Sequence, residues 1–467
     1  MALNGLDRHI ALVGFMGAGK TTMAGALSAR LARPVLDVDR EIEARYRDPI
    51  PQIFEKRGEP AFRQVEAYVV GAAIDRRHPT IIDLGGGAVT FSDTRDPLME
   101  AFTVLLDVDV DTAWERVRGS DRPLARDEGD FRRLFDDRRP LYRDVADAVV
   151  ESGDVDGVVL AAAGIRHELG ALDRLGDLVP DDGPVALVAD STVMGIYGPR
   201  AQEALGERLV STHELPPGEE AKHVRLVEQL WSELTLDRRG TVVALGGGAL
   251  TDTAGLVAAT YLRGIPWVAV PTTLVGQVDA GIGGKTAIDI PQGKNLVGAF
   301  HWPARVVIDE ALLETLPERE RRQGRAELVK TQLLAGSDLD VRGAAAYKAA
   351  LCLRDPRDRS VRQWLNLGHT FAHALEAAAG FELPHGDAVA LGLLAALRLS
   401  GRDTGRVEAE LDPKPVSVDR ESAWQALLRD KKRSGDSINL VLLGTDGPRV
   451  EARPADEVRA ALDTLIA

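Results

Sequence analysis

The chain reads as an α/β protein. It begins with a doubly wound parallel-sheet unit, continues with a second α/β unit, and ends in a mainly α-helical region. Three observations lead to this. Short β-branched runs alternate with amphipathic helical stretches, as expected for strands buried on both faces by helices. Glycine-rich turns follow two of the strands and run straight into helical sequence, the layout of a sheet that opens toward phosphate. After about residue 311 the strand pattern nearly stops.

In the first unit HIALVGF (9–15), TIIDLG (80–85), FTVLLDVD (102–109) and DAVVES (147–152) predict strands, with a helix over TTMAGALSARLA (21–32). A further strand ends in Leu36-Asp37-Val38-Asp39. The second unit offers VALVAD (185–190), TVVALGGG (241–248), PWVAVPTT (266–273) and ARVVID (304–309). RAELVKTQLLA, FAHALEAAAG and AVALGLLAALRLS are helical, and a strand pair, INLVLLG and PRVEAR, closes the chain. The weakest pattern lies at about 153–184, which puts the main boundary near 166. The expected domains are 1–165, 166–311 and 312–467.

Composition narrows the function classes. A length of 467 residues suggests about three domains at roughly 150 residues each. The net charge of −15 argues against a general nucleic-acid or anionic-membrane binder. Cys352 is the single cysteine, which excludes an internal disulfide framework and a Cys-rich zinc module. The 46 glycines exceed the usual share and have no collagen-like period, so they mark places where backbone comes close to something. No apolar run approaches the ~20 residues that span a bilayer. The first residues lack a signal-peptide layout, so a cytoplasmic protein is expected.

Gly14-Phe15-Met16-Gly17-Ala18-Gly19-Lys20-Thr21 fits the phosphate-loop pattern between a strand and a helix. Backbone N–H groups of Gly17, Ala18 and Gly19 can wrap the phosphates of ATP, and Lys20 can reach their β/γ oxygens. The Thr21 hydroxyl can ligate Mg²⁺, with Thr22 next to it. Alternation along the strand places Asp37 and Asp39 on one side. One of them, taken as Asp37, can hold a Mg²⁺ water, and the other can face a substrate hydroxyl. Two polar residues at a strand end fit this pair equally well.

With Phe62-Arg63, Gly85-Gly86-Gly87-Ala88, Arg122-Pro123-Leu124 and Arg138-Arg139-Pro140-Leu141-Tyr142, residues 9–165 resemble shikimate kinase. The carrying segments are GFMGAGKTT, LDVDREIE, AFRQVE, DLGGGAV, DRPL and RRPLY, in that order. The resemblance implies that Asp39, Arg63 and Arg138 hold shikimate, with the backbone of Gly85, Gly86 and Gly87 lining the pocket. Asp39 would position the reacting hydroxyl and take its proton. Arg122 would contact phosphates from a mobile lid. Bidentate arginines suit the carboxylate of such a substrate. Asp83 is not implied by the family and would lie near the Mg²⁺. The lid sequence GSDRPLARDEGD is short and acidic.

In the second unit Gly246-Gly247-Gly248 follows a strand and opens a helix, a place for a pyrophosphate or simply a tight turn. Thr272, Thr273, Asp279, Lys285, Lys294 and Asn295 cluster among glycines, as around a polar ligand. Glu327 and Lys330 are spaced i,i+3 on a helix, and His369 and His373 i,i+4. His385 opens the next helix. One carboxylate and two imidazoles leave a metal ion room for substrate. Phe371 and Ala372 exclude the H-E-x-x-H protease pattern.

Residues 167–467 resemble 3-dehydroquinate synthase, through LGGGALTDTAGLVAATYLRGIPWVAVPTTL, QVDAGIGGKTAID, GKNLVGAFH, AELVK, LNLGHTFAHALE, HGDAVALG and RDKKRSG. The resemblance implies a Rossmann-like NAD lobe and a mainly helical metal lobe. It implies Zn²⁺ or Co²⁺ on Glu327, His369 and His385, with His373 catalytic near the substrate phosphate. Asp279, Lys285, Asn295, Lys330, Lys348, Arg362, Asn366 and Lys431 would line the pocket for 3-deoxy-D-arabino-heptulosonate 7-phosphate. NAD⁺ would meet Asp190, Glu219, Lys222, Gly246, Gly247, Gly248, Asp252, Thr272, Thr273 and Lys294. Arg263 would reach across a homodimer interface. The chain departs from the family at Asp289, Asp387 and Trp302, and the lobe is short.

Together these readings give a bifunctional enzyme of chorismate biosynthesis. One activity phosphorylates shikimate with ATP, and the other converts the heptulosonate phosphate to 3-dehydroquinate. The alternatives are a different small-molecule kinase joined to a metal-dependent polyol dehydrogenase, or one degenerate, regulatory lobe.

Overall fold

The computed structural model describes residues 5–119, 126–430 and 437–467. The chain divides into two compact units, one up to Gly164 and one from Ile165 onward.

The first unit is built on strands β1 (Ile10–Val13), β2 (Val35–Asp37), β3 (Ile81–Asp83), β4 (Phe102–Asp107) and β5 (Ala148–Glu151). They form one sheet in the order β2-β3-β1-β4-β5 with every pairing parallel. All four residues of β1 are buried, because helices cover both faces of a parallel sheet. The loop after β1 therefore emerges at the carboxyl edge, where such sheets bind ligands. Phe15 in that loop packs edge-on against Phe131 and Phe135, at centroid separations of 5.0 and 5.2 Å. These rings tie the loop to the helix Glu128–Asp144.

One expectation is corrected here. Asp37 and Asp39 do not alternate along a strand, since β2 stops at Asp37. Asp37 caps the helix Val38–Tyr46 by accepting from Arg40 N at 3.1 Å, and Asp39 lies in that helix's first turn. An aspartate's preference for the cap position outcompetes one more residue of strand.

The second unit opens with β6 (Ile165–His167), β7 (Val185–Asp190), β8 (Leu209–Leu215), β9 (Thr241–Gly246) and β10 (Trp267–Pro271). A hairpin follows, β11 (Lys285–Ile290) and β12 (Gly293–Phe300), then β13 (Arg305–Ile308). The sheet order is β6-β13-β10-β9-β7-β8, parallel throughout. Beyond it lie the helices Glu318–Ala335, Val341–Arg354, His369–Ala378 and His385–Leu399. The antiparallel pair β14 (Ser437–Gly444) and β15 (Gly447–Pro454) packs Ile438, Leu440 and Leu442 into the same core as these helices. That pair does not close the chain as expected, because the helix Ala455–Asp463 follows and buries Val458 and Leu462. No helix among the described residues is long and apolar enough to cross a membrane.

Candidate active sites

In the first unit, positive φ at Gly14, Gly17 and Gly19 bends the loop back over the sheet edge. Gly17 has no room for a side chain, since a Cβ would stand 2.7 Å from Ala113 O. Lys20 Nζ donates to Gly14 O at 2.9 Å and to Phe15 O at 3.4 Å, which holds the ammonium across the loop mouth. Thr21 Oγ1 donates to Asp83 Oδ2 at 2.6 Å. Asp83 is Asp37's register partner across β2 and β3. Burial raises the Asp83 carboxyl above the usual range, against the pull of Thr21 and Lys20. Thr22 follows in the first turn of the helix Lys20–Leu31. Arg116 Nη1 donates to Gly17 O at 2.9 Å and to Ser152 Oγ at 2.8 Å, and Ser152 Oγ donates to Ala18 O at 2.9 Å. No local pattern announces this clamp, because Arg116 lies 99 residues from Gly17 and Ser152 134 residues from Ala18.

Asp39, Arg63 and the three glycines converge. A Cβ on Gly85 would stand 2.7 Å from both Asp39 Oδ1 and Glu66 Oε1, and one on Gly87 would meet the Arg63 guanidinium. Arg138 Nη1 donates to Gly86 O at 3.3 Å, and the Tyr142 hydroxyl donates to the same carbonyl. Arg63 is gripped by Glu66 Oε2 at 2.5 Å and Glu59 Oε1 at 3.0 Å. Glu66 is buried, and burial pushes its carboxyl up to about 7 despite Arg63. Neither glutamate was among the expected site residues, although Arg63 and Glu66 share an i,i+3 helix face that could have flagged them. Arg122 lies outside the described residues.

In the second unit the turn from β9 leaves no room beside its glycines. A Cβ on Gly246 would lie 3.0 Å from Asp190 Oδ2, one on Gly247 3.2 Å from Thr273 Cγ2, and one on Gly248 2.9 Å from Ala280 Cβ. Asp190 caps the helix Ser191–Leu205 by accepting from Val193 N at 2.9 Å. Burial raises its carboxyl. Thr272 N donates to Gly246 O at 3.0 Å, and Thr273 Oγ1 accepts from Gly276 N at 3.1 Å. Lys222 is buried and donates to Asp252 Oδ2 at 2.6 Å and to Asn295 Oδ1. Burial pushes Asp252 up to about 6. Lys294 lies 3.8 Å from Glu219 and 4.9 Å from the Phe381 ring centre.

The metal cluster is assembled by close helix contacts. Gly386 N donates to Gln323 Oε1 at 2.5 Å, which sets His385 beside Glu327, one turn along the helix Glu318–Ala335. A Cβ on Gly392 would stand 2.1 Å from Gly368 O, so the His369 and His385 helices touch backbone to backbone. Nε2 of His369 and of His385 lie 3.5 and 3.2 Å from Glu327 Oε1. All three donor atoms fall within 4.8 Å of one another. The second nitrogens are engaged, His369 Nδ1 by Leu367 O at 3.2 Å and His385 Nδ1 by Glu376 at 3.1 Å. That leaves both Nε2 atoms aimed inward, and this N/O donor set fits Zn²⁺ or Co²⁺. Burial, with Lys330 nearby, pushes His369 down to about 3. Burial also acts against a charged His385, but Glu327 and Glu376 outweigh it and raise it to about 10. His373 stands one turn beyond, its ring 5.4 Å from that of His369.

Next to this cluster lies an alternating charge chain. Lys330 pairs with Glu327 and stands 3.9 Å from Asp279, and Lys348 Nζ meets Asp279 Oδ1 at 2.5 Å. The burial cost of these groups is offset only by their pairing. Burial would raise Asp279, but Lys348 and Lys330 hold it below the usual range. Lys285 pairs with Asp358, and Arg362 spends its guanidinium on Gly283 O at 2.8 Å and Pro356 O at 3.2 Å. Asn366 ends the turn Val361–Asn366, and Arg263 is exposed in a tight positive-φ turn. Lys431 lies outside the described residues.

The two units thus present a P-loop phosphotransfer site and a dinucleotide-type sheet edge joined to a metal-ligand cluster. Residues 16–161 match the family model for shikimate kinase. Residues 212–323 and 306–433 match those for the 3-dehydroquinate synthase N-terminal and C-terminal domains. The 3-dehydroquinate synthase of Symbiobacterium thermophilum is 40% identical over 359 residues, which span 68% of this chain and 99% of that protein. The Bordetella pertussis 3-dehydroquinate synthase is 38% identical, over 63% of this chain and 94% of its own length.

Among solved structures, 2-deoxy-scyllo-inosose synthase complexed with carbaglucose-6-phosphate, NAD⁺ and Co²⁺ superposes with a TM-score of 0.58 at 25% identity. That match covers 64% of this chain and 95% of the other. ValA, the 2-epi-5-epi-valiolone synthase from Streptomyces hygroscopicus subsp. jinggangensis 5008 with NAD⁺ and Zn²⁺ bound, gives 0.54 at 27% identity, over 64% of this chain and 96% of the other. The chain belongs to the 3-dehydroquinate synthase family and carries a shikimate kinase domain ahead of it. It is an enzyme with two activities of aromatic biosynthesis. Nothing in these matches supports a polyol dehydrogenase.

Proposed function

We propose that each activity runs on the residues its own unit gathers. The observation that carries this is the convergence of Glu327, His369 and His385 donors in one unit, against the Lys20–Thr21–Asp83 edge in the other. The working divisions are 1–165 for the kinase, 166–311 for the NAD lobe and 312–467 for the metal and substrate lobe.

In the kinase, Gly17, Ala18, Gly19, Lys20, Thr21 and Thr22 bind ATP, with Mg²⁺ on Thr21 and Asp37. The hydroxyl and carboxylate oxygens there are hard donors that fit this ion. Asp39 orients the shikimate hydroxyl and accepts its proton. Arg63 and Arg138 hold the carboxylate beside the Gly85–Gly87 backbone, and Arg122 reaches the phosphates. Positioning and charge neutralisation supply most of the rate in phosphoryl transfer.

In the synthase, NAD⁺ supplies a hydride acceptor for a substrate hydroxyl, and Zn²⁺ or Co²⁺ supplies Lewis-acid polarisation of the neighbouring oxygens. The sheet edge from Asp190 through Glu219, Lys222, the Gly246–Gly248 turn, Asp252, Thr272, Thr273 and Lys294 holds the dinucleotide. Lys330, Lys348, Lys285, Arg362, Asn295, Asn366 and Lys431 surround the substrate's carboxylate and phosphate. Asp279 orients Lys330 and Lys348, and His373 handles a proton at the phosphate end. Oriented cations in a dry site stabilise charge as it develops.

The reading extends to a homodimer in which Arg263, exposed in this chain, completes the partner's pocket. A cytoplasmic location fits the substrates. The test is the purified chain in two separate assays. Lys20→Ala should remove shikimate phosphorylation and leave dehydroquinate formation intact, and His385→Ala should do the reverse. A Lys20→Ala variant that lost both activities would defeat the two-site reading.

A further inference from the structure

Phe381 breaks two habits of its residue type. It takes a left-handed backbone, φ 65°, directly after Gly380 at φ 59°, where a bulky side chain is a rare and costly occupant. Its ring is also half exposed, at 49%. The neighbouring bonds hold the conformation in place. Gly380 N donates to Ala377 O at 3.2 Å and Phe381 N to Glu376 O at 2.7 Å, the paired bonds that stop a helix at a glycine. The carboxylate of the same Glu376 meets His385 Nδ1 at 3.1 Å, which pins the turn to the next helix.

A hydrophobic residue at this place after a helix commonly folds back onto it. The Phe381 ring meets the Lys294 ammonium of β12, which stands 4.9 Å from the ring centre. That is within the ~6 Å over which an aromatic face attracts a cation. The ion pair of Lys294 with Glu219 is long, at 3.8 Å, and Glu219 is mostly exposed, so water screens it. A ring differs from a carboxylate in one respect that matters to an anion. It orients an ammonium without cancelling its charge, and the whole charge stays available to a phosphate.

Resting on the reading of Lys294 as a dinucleotide ligand, we propose that Phe381 is a positioning residue for NAD⁺. Its ring, held out from the metal lobe by the strained turn, keeps the Lys294 ammonium of the NAD lobe in place for the anionic dinucleotide. The strain of the turn is then part of the binding site.

The experiment uses the full chain saturated with Zn²⁺ and follows NADH binding by fluorescence. The chains compared are the wild type, Phe381→Leu, Phe381→Tyr, Phe381→Gly, Lys294→Met and the double variant Lys294→Met with Phe381→Leu. Phe381→Leu and Phe381→Gly should weaken NADH binding about three- to tenfold, whereas Phe381→Tyr should stay within twofold of wild type. In the Lys294→Met background, Phe381→Leu should change nothing further. The synthase melting transition of Phe381→Gly should hold or rise, because glycine takes the left-handed backbone without strain. Binding within twofold of wild type in Phe381→Leu, alongside a weakened Lys294→Met, overturns the proposal. So does an equal loss in Phe381→Tyr, or a loss that persists in the Lys294→Met background. Loss of the synthase melting transition in both Phe381→Leu and Phe381→Gly would make Phe381 a structural residue and overturns it too. A Lys294→Met chain that binds NADH like the wild type overturns the dinucleotide reading of Lys294 instead.

Discussion

The two units treat charge in opposite ways. At its phosphate loop the kinase keeps Lys20 on backbone carbonyls until phosphates arrive, although its substrate pocket does bury one ion pair, Arg63 with Glu66. The synthase unit buries Glu327, Lys330 and Lys348 and pairs each before any substrate enters. A cation resting on carbonyls can be handed to a ligand at small cost. A buried chain of opposite charges acts as one object, so removing a member strands its neighbour. The difference predicts a kinase phosphate loop whose substitutions cost activity and a synthase site whose substitutions also cost fold.

The largest effect expected from that contrast is at Glu327. Glu327→Gln takes from the buried Lys330 its close partner and leaves it only Asp279, 3.9 Å away, a loss of up to about 3–5 kcal/mol, and removes a metal ligand. Calorimetry should show the synthase transition falling while the kinase transition stays in place, and elemental analysis should show metal lost from the chain. An unchanged synthase transition would break the contrast. Next is Gly392→Ala, whose methyl must displace the Gly368 carbonyl. Overpacking of this kind costs about 1–3 kcal/mol. Spreading the two histidine helices should lower synthase kcat, with shikimate phosphorylation unaffected.

The smallest concerns Glu66. Its folded pKa is raised to about 7, so between about 4.5 and 7 the folded state holds a proton that the unfolded chain releases. Kinase stability should therefore fall as pH rises through that window and level off above it, by about 1–3 kcal/mol. Glu66→Gln should flatten the slope, and a wild-type melting temperature independent of pH there would count against the buried carboxyl. The synthase transition provides the internal control.

Much of the fold was legible because central parallel strands are apolar on both faces. VALVAD is β7 residue for residue, and all of it is buried. The edge strand β8, LVSTHEL, alternates buried and open positions and carries His213 and Glu214, so its composition hides it. GKTAIDI and GKNLVGAF were read for ligand-binding glycines and lysines, and they form the β11–β12 hairpin. The His369–His385 cluster was legible from spacing and from resemblance. Glu59 and Glu66 were passed over although both lie on one helix with Arg63 at i,i+4 and i,i+3, whereas Gln323 and Glu376 were not legible, because each acts on a group of another helix. Such residues carry no local pattern until the chain has folded. Asp37 and Asp39 were misplaced for a related reason, since a strand pattern cannot show where a helix cap takes over.

The backbone contact of Gly368 with Gly392 has a consequence in time as well as space. Ala372 N donates to Gly368 O at 3.1 Å, and it lies where a Cβ on Gly392 would be only 3.2 Å away. Water cannot reach that amide unless both imidazole-bearing helices part together. In deuterated solvent it should be among the last protons of the synthase unit to exchange, on the clock of global unfolding rather than of local fraying.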